Sequence, residues 1–133
     1  MVAIRNNFKQ VLAGLPPALA QTVEWGDSFR FEALTLLDRA KAKFAELEKQ
    51  ADGGGATVLE PMHLTMKALL AARGFRSLGT AASLQLLKTI YRKEIPEKLL
   101  QQFTEVQALK LQGSPARQAL SSFISTASRL LTE

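Results

Sequence analysis

One histidine and a cluster of hydroxyls are the residues of this 133-residue chain that proton or acyl chemistry could use. His63 sits in the stretch "MHLTMKALLAARGFRS". A histidine acting as general base needs a partner that fixes its tautomer. Helix geometry puts Leu59, Met66 and Lys67 beside it, and Glu60 is the one carboxylate at helical spacing. Such a Glu60–His63 pair reads first as a surface hydrogen bond and only second as a catalytic device. Ser121, Ser122, Ser125 and Thr126 have no histidine downstream and no glycine elbow to activate any of them. Cysteine is absent, which removes thiolate nucleophiles, disulfides and thiolate zinc sites. A metal ion wants several converging ligands, so no metal and no cofactor is expected. The clustered acids fall on the outer face of a charged helix, where solvation explains them better than glycoside chemistry. The triple glycine Gly53–Gly55 is followed by Ala56 and Thr57 rather than by lysine and a hydroxyl, so it reads as an inter-helix loop and not a phosphate cradle.

The cations are the more informative set. The formal net charge is +5, and it is unevenly spread. From Glu24 to Glu60 there are eight acids and five bases; from Pro61 to Lys98 there are seven bases against Glu94 and Glu97. A positive field of this kind raises encounter rates with polyanions and binds them by releasing counterions. Lys67, Arg73, Arg76, Lys88, Arg92 and Lys93 are therefore the candidate contacts to a nucleic acid or nucleotide phosphate. The plainer reading is that these side chains only solvate helix faces.

The elements that must position them are helices, since the apolar spacing is helical almost throughout and no period-2 run argues for a sheet. A short first helix carries Ile4, Phe8, Val11 and Leu12, ends at Gly14 and is stopped by Pro16 and Pro17; a brief helical turn through "ALAQTVEW" follows. Asp27 or Ser28 caps a long helix with the stripe Ala33, Leu37, Ala40, Phe44 and Leu47. Thr57 and Glu60 have capping-box spacing before a helix that buries Leu59, Met62, Met66, Leu69 and Leu70. Gly74 is a left-handed stop with Phe75 folded back on the last turn. Another helix runs near Thr80 to Arg92 and buries Leu84, Leu87 and Tyr91. Pro96 starts the next, with Leu99, Leu100, Phe103, Val106 and Leu109, which Gly113 closes. Ser114 and Pro115 open a last helix whose apolar face, Ala116, Ala119, Leu120, Phe123, Ile124, Ala127, Leu130 and Leu131, is broad enough to be inner core or a dimer surface.

The expected fold is one all-α domain over residues 1–133. It is an up-and-down bundle of four to five core helices (28–131), preceded by a short N-terminal helical extension (1–24). Hydrophobic residues make up 47% and charged residues 22%, the balance of a chain that buries a core. Arg5 and Lys9 interrupt the apolar pattern of the N-terminal stretch, and no run reaches the length of a membrane span. A cytoplasmic location without membrane contact is the expectation.

The order of features from residue 28 to 131 resembles the HEPN superfamily of small helical-bundle proteins. The long helix "LLDRAKAKFAELEKQ", the helix "VLEPMHLTMKALLAARGFR" and the stretch "LQLLKTIYRKEIPEKLLQQFTEVQALK" are similar to successive segments of that family, with "KALLAARGFR" carrying most of the specificity. The resemblance implies a homodimeric bundle that binds or acts on RNA or nucleotides, often beside a nucleotidyltransferase-type partner. Catalytic members are metal-independent ribonucleases that use an arginine followed a few residues later by a histidine. Here that segment reads "VQALKLQGSPARQ", with Lys110 near the arginine position and no histidine after His63. A non-catalytic relative that binds through its basic half is the expected function. A structural or antitoxin-like adaptor acting by helix–helix contact is the alternative, and a ribonuclease with an unusual site comes third.

Overall fold

The computed structural model describes residues 17, 23–25, 27–49, 55–77, 79–91, 93–108, 110–111 and 113–132. The expected helix around Ile4 to Leu12 with its Gly14 and Pro16 stop, and the positions Gly53, Gly54, Arg92 and Leu109, lie outside them. The described chain is an all-α bundle of five helices: α1 (Ala33–Lys49), α2 (Gly55–Ala72), α3 (Thr80–Ile90), α4 (Glu97–Gln107) and α5 (Gly113–Thr132). A 3-10 turn, Asp27–Glu32, leads into α1.

Helix α2 is the hub, packed against each of the other four helices. Position explains its composition. A helix contacted on several sides cannot keep a polar face, and here Val58, Pro61, Met62, Thr65, Met66, Ala68, Leu69, Leu70 and Ala71 are all buried. Thr65 is tolerated there because its hydroxyl donates to the Pro61 carbonyl at 2.8 Å. The helix begins at Gly55, earlier than the spacing of Thr57 and Glu60 predicts, so Pro61 stands inside it rather than in its first turn. Proline has no N–H to give the carbonyl four residues back, so one ladder bond is lost at that point.

Around the hub, α1 contributes Ala33, Leu37, Ala40 and Leu47 to the core, while Arg39, Lys41, Lys43, Glu46 and Lys49 are exposed as their spacing predicts. In α3 Leu87 is buried as expected, as is Tyr91 at its C-cap; Ala82, Ser83 and Leu86 are buried too, and Leu84 is only half-buried. Helix α4 stops at Gln107 instead of running to Gly113, because the Lys110 and Leu111 amides turn back to the Glu105 carbonyl, at 2.8 and 3.2 Å. Gly113 belongs to α5. The broad face of α5 is inner core, with Ala116, Ala119, Leu120, Phe123, Ile124 and Ala127 buried and only Leu130 and Leu131 part-exposed. No helix among the described residues is long and apolar enough to cross a membrane.

One feature departs from an all-helical reading. Val23–Trp25, expected as part of a helical turn, is a strand (β1) paired antiparallel with Phe75–Ser77 (β2), in the register Val23 to Ser77, Glu24 to Arg76 and Trp25 to Phe75. Local propensity is overridden because each strand supplies the other's backbone partners. Gly74 makes the pairing reachable: its φ of 82° is left-handed, as a glycine after a helix end predicts, and it turns the chain out of α2 into β2. Phe75 is buried as expected, though as a strand residue rather than in a fold-back onto the helix.

Candidate anion-binding site

The last turn of α2 tightens. Arg73 N–H donates to the Leu70 carbonyl (3.1 Å) and Gly74 N–H to the Ala71 carbonyl (2.9 Å), three residues back instead of four. The shift leaves the Leu69 carbonyl without the Arg73 amide that an α-helix would supply. Tyr91 takes that place, its hydroxyl donating to Leu69 O at 2.5 Å from the end of α3. The tyrosine is itself pinned at the helix C-cap, its N–H bonded to Leu87 O at 3.0 Å and its carbonyl accepting from Glu94 and Ile95. Burial pushes its phenol up to about 12; the Arg73 charge and hydrogen bond pull against that rise, and Glu94 adds to it.

Above this fixed ring lies Arg73, its guanidinium carbon 4.8 Å from the ring centroid. An arginine held over an aromatic face loses less freedom when it takes a ligand and keeps N–H groups for an anion. Lys88, one turn before Tyr91, lines with it a pocket of about 220 Å³ completed by Ile95, Glu97 and Leu100. Lys93 is exposed in the turn that follows. Arg73 and Lys88 thus both adjoin Tyr91, Lys93 follows it by two positions in the chain, and Arg92 lies outside the described residues.

The other two candidates sit elsewhere. Arg76 is on β2, opposite Glu24 in the ladder, where a cross-strand pair of opposite charge has its natural distance. Lys67 is exposed on α2, one turn after His63. Six residues of helix separate it from Arg73, so it emerges roughly 120° around the axis from it. The six cations therefore do not form a single wall.

His63 is half-buried. Its ring meets Phe103 edge-on, centroids 5.3 Å apart at 88°, and Phe103 meets Phe123 in the same way at 6.0 Å. Burial lowers its pKa, and the nearby Lys67 charge lowers it further. Glu60, its expected partner, reaches Lys43 at 3.8 Å instead, in a largely exposed pair of little energetic weight. The histidine is thereby an aromatic spacer between α2 and α4. Among the described residues no group of three or more histidines and acids could hold a metal ion.

The sequence reading placed Tyr91 in the core and gave it no further part. Its signal was present in outline: the chain's single tyrosine at a helix end, followed by "RKEIP". Comparison with protein-family models, with curated proteins and with solved structures finds no match for the chain.

Proposed function

We propose that the protein is a non-catalytic, HEPN-like helical module that binds single-stranded RNA through Arg73, Lys88 and Lys93. The observation that carries this reading is the Arg73 guanidinium set over the Tyr91 ring, with Lys88 lining the pocket that the same tyrosine borders. A tyrosine bonded to Leu69 O does not move, so the cation above it is preorganised for a phosphate. Single strands suit a short row of cations, because their backbone can bend to meet it.

Fluorescence anisotropy with a labelled single-stranded RNA across a salt series tests the proposal. Each phosphate neutralised adds roughly 0.7 to the slope of log affinity against log salt. Arg73→Glu and Lys88→Glu are expected to weaken binding and flatten that slope, while Lys49→Glu on α1 leaves both unchanged. Equal affinity for all three variants would overturn it.

A protein partner is the second reading, favoured by two large apolar side chains in open solvent, Phe31 (86% exposed) in the 3-10 turn and Leu34 (54%) at the start of α1. A nucleotidyltransferase-type partner, which the HEPN resemblance implies, would associate with little salt dependence and lose affinity on Phe31→Ser with Leu34→Ser. Cleavage of RNA in the presence of chelator, abolished by His63→Ala, would replace both readings with a ribonuclease.

A further inference from the structure

A second concavity lies on the other flank of α4. That helix gives Glu97 and Leu100 to the Tyr91 pocket, and Lys98, Leu99 and Gln102 to a groove shared with α5. The groove measures about 490 Å³, within the range of small-molecule sites. Its floor includes the buried Leu99 and Ala119, and its polar lining is Lys98, Gln102, Gln118, Ser122 and Thr126. Among the described residues no carboxylate lines it.

These five polar side chains have unspent hydrogen-bonding capacity. Among the described residues none of them makes a hydrogen bond or ion pair within the chain. Elsewhere in the helices Thr65, Thr89, Thr104 and Thr132 each turn their hydroxyl back to the carbonyl four residues earlier. Gln101, the neighbour of Gln102, is engaged with Glu105 at 3.4 Å. Thr126 and Gln102 are half-buried and keep their polar atoms open to the groove's solvent instead. Two amides and two hydroxyls offer both donors and acceptors, which match a polyhydroxylated body, and one ammonium selects a single negative charge at one end.

From this lining we propose that the α4–α5 groove binds a small polyhydroxylated compound with one anionic group, a sugar acid or a sugar phosphate, with Lys98 on the anionic group and Gln102, Gln118, Ser122 and Thr126 on the hydroxyls. The site is separate from the RNA surface and stands whether or not RNA binds. An amino sugar suits this lining poorly, since among the described residues no acid receives its charge and Lys98 repels it.

The test is a heteronuclear NMR titration of the full chain with four compounds of one ring size: glucuronate, glucose phosphate, glucose and glucosamine. Saturable shifts are expected at Lys98, Gln102, Gln118, Ser122 and Thr126 with the two anions, the tighter of which names the head group. Glucose should bind about tenfold more weakly, the loss of one charged hydrogen bond, and glucosamine not at all. Lys98→Gln should cut affinity for the anions about tenfold and leave glucose unchanged. Ser122→Trp, exposed on α5, should fill the groove and abolish all binding with the rest of the spectrum intact. Shifts centred on Arg73 and Lys88, glucosamine binding equal to glucuronate, or no saturation with any compound would each overturn the proposal.

Discussion

At the scale of single residues, Tyr91 and His63 carry the clearest consequences, and each is the only one of its type, so its titration can be read without overlap. Tyr91→Phe keeps the ring under Arg73 but strands the Leu69 carbonyl, at a cost of about 1 to 3 kcal/mol in a urea titration. RNA affinity should change little. The phenol is raised in the folded state, so its contribution is complete below pH 10 and is lost as pH rises toward about 12; Tyr91→Phe should remove that alkaline loss. His63 runs the other way. Its folded pKa lies below 6.5, so as pH falls through that value the unfolded chain takes the proton first and stability declines until the folded form also titrates. Comparing urea midpoints of the protein and His63→Leu from about pH 8 to 5 checks the sign, because the acid-side slope should be smaller in the variant. The spacing around His63 pointed to Glu60, and it failed because an exposed carboxylate at helical distance is equally free to reach across to α1.

Among the elements, legibility followed periodicity. The stripes of α1, α4 and α5 were readable because one face of each is apolar and the other charged, a pattern that survives without coordinates. In α3 the spacing gives Leu87 and Tyr91 correctly and misplaces only Leu84, because Leu84 and Leu86 are equally apolar and only the neighbours decide which is covered. Helix ends were harder: Gly113 was taken as a stop and is instead the first residue of α5, since a glycine before Ser114 and Pro115 fits either role. Gly74 was legible because a glycine after a long helix has one common use. Its φ of 82° makes Gly74→Ala costly by about 1 to 2 kcal/mol, a loss that thermal melts should report as a lower Tm. The substitution should also weaken RNA binding, because the turn that places Arg73 is the one being strained.

For the molecule as a whole, the charge asymmetry between Pro61 and Lys98 was visible in the sequence, but its distribution in space was not. Arg73 and Lys88 both come to border Tyr91 because a tightened helix end takes a hydroxyl from outside, and that requirement exists only once α2 and α3 are packed. Lys67 and Arg76 diverge for equally simple reasons, a helix phase and a strand partner. The α4–α5 groove was unreadable for the same cause, since Ser122 and Thr126 were weighed as nucleophiles and gain a setting only beside Gln102.

The strand pair is expected to open before the helices do. Its three-residue ladder joins Val23–Trp25 to a segment beyond α2, so closing it fixes a long intervening stretch for very few bonds. Native-state hydrogen exchange should therefore find the ladder amides opening well before those of Met66 to Leu70, in a motion that leaves the five helices assembled. Protection of both segments with one shared rate would mean that the clasp and the bundle melt as a unit.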